Sequence, residues 1–187
     1  TVPGLGDLSH ASVVFSRDGA VAFVFGRDGA LTRVNLLTRR IEGRVMQAGN
    51  SIGGAVSQDG QWVAAQNYQP GGIKVFRADT LALVADVPAE YAPGRLSRVV
   101  GLADLPGPRF IFSLCDADEI WIADLSRDAG HPAIQRFRDV GRQPYDALVT
   151  PDGRHYIAGL FGEDGLALID LWQTEPRVRR ILQGYGR

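Results

Sequence analysis

Residues 9–35 read SHASVVFSRDGAVAFVFGRDGALTRVN, and this stretch decides the fold. An apolar run (Val13, Val14, Phe15) meets Asp18-Gly19. A second run (Ala20 to Phe25) meets Arg27-Asp28-Gly29, and a third follows from Leu31 to Asn35. Asp-Gly between apolar runs is a strong hairpin signal, because glycine takes the positive φ that a tight turn demands. His10, one of three histidines, stands just ahead of the first run.

The pattern recurs. Turn tetrads fall at Ser16–Gly19, Ser57–Gly60, Asp104–Gly107 and Thr150–Gly153, spaced by 41, 47 and 46 residues. After each comes an apolar strand (Ala20–Phe25, Trp62–Ala65, Arg109–Leu114, His155–Leu160). A third strand follows (Leu31–Leu36, Ile73–Phe76, Ile120–Leu125, Leu166–Leu171). A more polar fourth closes the unit (Ile41–Met46, Leu83–Val87, Ile134–Phe137, Val178–Leu182). Four short strands at a period in the forties predict an all-β protein, a β-propeller of four-stranded antiparallel blades. The approximate blades are 9–48, 49–90, 95–139 and 142–184, in one partial propeller spanning 1–187. The second strands are apolar on both faces, as a strand packed between neighbouring blades must be. The fourth strands alternate charge and apolar residues, which suits an outer edge. Residues 88–98 read as the loosest segment, a surface loop between the second and third blades. Four blades either close into a small ring or form half of an eight-bladed one with two open faces to cover, by the missing half or by a second copy of the chain.

Composition excludes several classes. The 187 residues carry a formal charge of −1 and no basic field that would recruit nucleic acid. The single Cys115 rules out a disulfide framework within the chain, and no Cys-x-x-Cys-His heme attachment is present. No apolar run approaches a membrane span. The start at Thr1-Val2-Pro3 is expected of a processed chain or of a piece of a longer one.

In a meander, successive loops fall at alternate ends of the sheet. The segments entering each first strand therefore share one rim with the loops between strands two and three. The entering segments are Asp7–His10, Asn50–Gly54, Arg95–Arg98 and Gly141–Asp146. The loops are Gly26–Asp28, Asn67–Gly72, Cys115–Glu119 and Gly162–Asp164. This rim gathers a histidine, amides, arginines, a tyrosine and an aspartate, and is the expected binding face. On spacing alone His10 reads as an ordinary loop histidine, the aspartates as turn residues and Cys115 as a small buried hydrophobe. Arg95, Arg98 and Arg142 converge, which suits a ligand with several carboxylates.

Longer strings carry a resemblance. They are Gly6–Ser12, Asn50–Ala55, Pro70–Phe76, Gly141–Leu148 and Gly159–Gly165, covering nearly the whole chain. The chain resembles the d1 heme propellers, the family of cytochrome cd1 nitrite reductase and of the propeller proteins of d1 heme biosynthesis. The resemblance implies an eight-bladed fold of which this chain is an internal half. It implies a d1-type heme or tetrapyrrole precursor as ligand and a late step of d1 heme biosynthesis for denitrification. The alternatives are a d1 heme carrier or scaffold with no catalytic step, and a protein-interaction propeller. His10 falls where the reductases place the histidine that ligates the d1 iron. Tyr145 falls where the reductases have a distal histidine, so nitrite reduction is not expected; any enzyme activity would be tetrapyrrole modification of an oxidoreductase or lyase-like kind. Tyr145 and Asp146 are the expected proton-handling groups. Arg27, Asn50, Asn67, Arg95, Arg98 and Arg142 are expected around the macrocycle. The implied partners are other d1 heme biosynthesis proteins or the nitrite reductase, in the periplasm, with a membrane anchor conceivable in an absent N-terminus.

Overall fold

The computed structural model describes residues 1–185. Among the described residues eighteen strands follow one another with no helix between them. The first sheet holds β1 (Ser12–Phe15), β2 (Val21–Phe25), β3 (Ala30–Asn35) and β4 (Arg40–Met46). The second holds β5 (Asn50–Val56), β6 (Trp62–Gln69), β7 (Gly72–Arg77) and β8 (Leu83–Val87). A two-stranded hairpin, β9 (Glu90–Ala92) and β10 (Arg95–Leu96), comes next. The third sheet holds β11 (Val99–Leu105), β12 (Arg109–Leu114), β13 (Glu119–Asp124) and β14 (Ala133–Phe137). The fourth holds β15 (Pro144–Val149), β16 (His155–Leu160), β17 (Leu166–Asp170) and β18 (Val178–Ile181). Each four-stranded sheet is an antiparallel meander in sequence order. The four first strands touch in series, β1 to β5 to β11 to β15, so they form the inner wall of a propeller arc.

The core lies between blades rather than inside one. Phe23, Phe25 and Leu31 of the first blade meet Val63, Ala65 and Phe76 of the second. Ile73 and Val75 meet Phe110, Phe112 and Trp121 of the third. Ile111, Ile120 and Ile122 meet Tyr156, Ala158 and Ile169 of the fourth. Blades approach closely enough to demand glycine at one point: a Cβ on Gly54 would stand 2.2 Å from both the Phe25 ring and the Ala64 carbonyl oxygen. All five residues of β2 are buried, its outer side covered by Val2 and Leu5. In β16, by contrast, burial alternates, because one face of the fourth blade has no neighbour. Val13, Phe15 and Leu148 stay exposed along the inner wall, lining a hollow of about 500 Å³.

Two expectations are corrected. Residues 88–98 are not a loose loop. Pro93-Gly94, with Gly94 at φ 70°, turns the chain between β9 and β10. Ser97 N–H donates to the Ala89 oxygen (3.0 Å) and Arg136 Nη2 to the Tyr91 oxygen (3.1 Å). Arg136 is itself held by buried Glu119, which also accepts from Trp121 Nε1 (2.6 Å). Strands also run further toward the binding rim than the apolar pattern suggests. Asn50–Gly54 lies inside β5 and Asn67 inside β6, where register shifts at Asn50/Ser51 and Ser51/Gly53 keep the pairing going.

Candidate functional site

Backbone hydrogen bonds join each entering segment to the loop between strands two and three of its blade. Arg27 N–H donates to the Asp7 oxygen (2.9 Å), Gly49 to Gln69 (3.0 Å), Cys115 to Arg98 (3.2 Å) and Phe161 to Gln143 (2.8 Å). The Asp118 carboxylate accepts from Gln143 N–H (2.8 Å), tying the third blade's loop to the fourth blade's entering segment. The expected rim therefore exists, and it forms the mouth of the arc.

At its centre two phenols meet. Tyr68 of β6 and Tyr145 of β15 are hydrogen-bonded oxygen to oxygen, across from the second blade to the fourth. Their rings rest on buried Ile52, Val100 and Cys115. Two guanidiniums flank Tyr68: Arg27 lies 5.9 Å and Arg98 5.6 Å from its ring centroid, within cation–π range. Arg98 forks onto Asp116, Nη2 to Oδ1 at 2.6 Å and Nε to Oδ2 at 3.0 Å. Tyr145 packs on Phe161 with centroids 5.2 Å apart, and Phe161 is 72% exposed. The cluster thus draws side chains from all four blades or their approaches.

The electrostatics follow from this packing. Burial, then the hydrogen bond with Tyr145, pushes the Tyr68 phenol well above the ordinary tyrosine range. Burial, then the neighbouring Asp116 charge, raises the Cys115 thiol to about 11, so at neutral pH it is a thiol and not a nucleophile. The hydrogen bond from Arg98 holds the Asp116 carboxyl below its usual value.

The remaining expected residues divide. His10 sits exposed in the turn before β1, where Ser9 N–H donates to Asp7 Oδ1 (2.9 Å). Asn50 has its Oδ1 buried at the mouth end of β5 without a hydrogen-bond partner among the described residues. Arg95 lies over the Tyr91 ring at 5.0 Å. It shares a polar hollow of about 410 Å³ with Arg142, Asp116, Asp118 and Gln143. Neither Arg95 nor Arg142 forms an ion pair among the described residues. Asn67 belongs to the wall instead. It is 1% exposed, and its amide exchanges two hydrogen bonds with Gln47 (2.8 and 2.9 Å), leaving nothing to offer a ligand. Asp146 is exposed, and the partner of the Tyr145 phenol is Tyr68 rather than Asp146. The sequence does not single out Tyr68 or Phe161, and Asp116 reads there as a turn residue. A lone tyrosine in a strand pattern carries no signal of its own, and its partner lies 77 residues away.

Comparison with known proteins adds a family. The cytochrome D1 heme domain matches residues 1–187. The protein NirF of Pseudomonas aeruginosa is 64% identical over 188 residues, covering 100% of this chain and 48% of NirF. NirF of Stutzerimonas stutzeri is 65% identical over the same shares of each chain. Among solved structures, dihydro-heme d1 dehydrogenase NirN in complex with DHE superposes with a TM-score of 0.80 at 30% identity, over 94% of this chain and 37% of NirN. The chain spans about half the length of the curated relatives it matches. It belongs to the cytochrome D1 heme domain family.

Proposed function

We propose that this chain holds a d1-type heme, or a tetrapyrrole precursor of it, over the mouth of the arc and takes part in a late step of d1 heme biosynthesis. The observation that carries the reading is the aromatic–arginine cluster of Arg27, Tyr68, Arg98 and Tyr145, beside the unpartnered Asn50 Oδ1. A tetrapyrrole with carboxylate arms is flat, largely apolar and anionic. It needs ring faces to lie against, cations at its edge and a donor for its iron. The residues present fit those needs. Tyr145 and exposed Phe161 offer ring faces; Arg95 and Arg142 are cations without a committed acid among the described residues; His10 offers an imidazole on the same rim. If the iron of such a group is bound, His10 would supply an imidazole nitrogen to it. The solved relative NirN is named for a complex with DHE, which supports a ligand of this class on this fold.

The test is a titration of the chain with heme d1 extracted from a cytochrome cd1 nitrite reductase, followed by absorption. Saturable binding is expected, with a band shift that His10→Ala abolishes. An unchanged band in His10→Ala removes the axial assignment. No binding at all removes the tetrapyrrole reading and leaves an interaction propeller. Incubation with a precursor and mass analysis of the product then separates a modifying enzyme from a carrier.

A further inference from the structure

Two phenols in contact share a single bridging hydrogen, so one must donate and the other accept. We infer that Tyr68 is a positioning residue of the mouth: its phenol donates to the Tyr145 oxygen, leaving the Tyr145 hydrogen free to be donated to a bound tetrapyrrole. The inference rests on the proposed function for its ligand and on the geometry of this chain for everything else.

Enclosure assigns the donor. Tyr68 is held from three sides, by Arg27 of the first blade, Arg98 ahead of the third, and the Cys115 thiol beneath. The Asp116 carboxylate accepts five hydrogen bonds, four from Arg98 and one from the Cys115 thiol, and Tyr145 is the sole acceptor seen for the Tyr68 hydrogen among the described residues. Burial favours the neutral, hydrogen-bearing form of Tyr68. Tyr145 stands at the outer side of the pair. Beyond it lie Phe161, Asp146, Glu163 and Tyr185 around a hollow open to solvent. A phenol that receives its hydrogen bond from behind and faces a hollow in front is oriented to donate forward.

The same arrangement stabilises the product of a proton transfer. If the Tyr145 proton passes to a basic atom of the ligand, the negative charge stays on the Tyr145 oxygen. Tyr68 still donates to that oxygen, now in a charge-assisted bond, with the two guanidiniums on the Tyr68 ring. The proton returns from the ligand or from water, and no electron changes hands. Tyr68 itself touches no reacting atom.

Alkaline titration of the ligand-free chain, read by phenolate absorbance, tests the polarity. The chain has five tyrosines, and differences between variants isolate the pair. Tyr145→Phe should remove one ionisation step and let Tyr68 ionise at a lower pH than in the parent, because the bond that retains its hydrogen is gone. Phenylalanine keeps the ring packing, and far-UV dichroism checks the fold. A Tyr68 step that stays in place or rises in Tyr145→Phe overturns the inference. With heme d1 added, Tyr68→Phe should shift the pH at which the bound spectrum changes. A chain that binds no heme d1 sinks the functional reading alone, because the ligand-free titration does not depend on it.

Discussion

The two rims of this arc are built by opposite means. On the turn rim, three tetrads repeat one device. Ser16, Ser57 and Thr150 each donate a hydroxyl to the aspartate two residues on, at 2.6, 2.6 and 2.5 Å. Each hydroxyl oxygen accepts the N–H five residues on, from Val21, Trp62 and His155 at 2.9, 3.0 and 2.9 Å. Each glycine N–H returns to the first residue's carbonyl. These hydroxyl and aspartate bonds close within five residues, and Arg17 reaches across blades to the Ser57 oxygen (3.0 Å) and to Asp104 (2.7 Å). The mouth is built from contacts between blades, phenol to phenol and guanidinium to ring, over separations of tens of residues. A rim whose polar groups are satisfied by the protein itself is a structural rim. A rim that leaves a buried Asn50 oxygen and two uncommitted arginines is equipped for a ligand.

Ser57→Ala should produce the larger effect and leave the mouth alone. Ser57 is fully buried, and its loss strands the Trp62 N–H, while the exposed Asp59 carboxylate keeps only the Gln61 N–H. Stability should fall by about 1–2 kcal/mol in urea denaturation, with heme d1 affinity unchanged. Arg27→Ala should do the reverse. Its guanidinium lies on a ring face near the surface, so stability should move by less than about 0.5 kcal/mol. Affinity for heme d1 should drop about tenfold, the loss of one charge-assisted contact. A mouth variant that unfolds the chain, or a turn variant that abolishes binding, would erase the distinction between the rims.

The same difference explains which parts of the molecule are legible in the sequence. The tetrads, the strand order and the apolar second strands follow from local spacing, and Arg109–Leu114, His155–Leu160 and Leu83–Val87 are legible to the residue. The pairing of rim segments follows from meander geometry alone. Side-chain direction at the mouth does not. Asn67 reads as a loop amide, because nothing local shows that β6 continues to Gln69 and that Gln47 meets it from the end of the first blade. Tyr68 stands one residue further along, and only with β6 extended that far does the strand's period of two send it to the other face, toward Tyr145. The β9–β10 hairpin is announced by Pro93-Gly94, a signal hidden by the short strands on either side.

The smallest expected effect sharpens the comparison most finely, because it separates two functions of one hydroxyl. Ser16 holds the Asp18 carboxyl below its ordinary value, mainly through its own hydrogen bond and next through the Ala20 N–H. Thr150 does the same for Asp152, and Arg154 lowers Asp170 on that rim to about 2. A carboxyl depressed in the folded chain stabilises it above the unfolded value and loses that contribution as pH falls through the folded value. Stability should therefore decline from about pH 4 toward pH 2, where Asp170 titrates. In Ser16→Ala the Asp18 carboxyl returns toward its ordinary range, so the variant binds its proton earlier and its stability curve is flatter in this window. The gap between parent and variant should be widest at neutral pH and narrow as acid protonates Asp18 in both. It should not close, because the Val21 N–H also depends on the Ser16 oxygen, at 2.9 Å, and that bond carries no proton dependence. A gap that is constant with pH would mean that Ser16 serves the backbone alone and leaves Asp18 to Ala20.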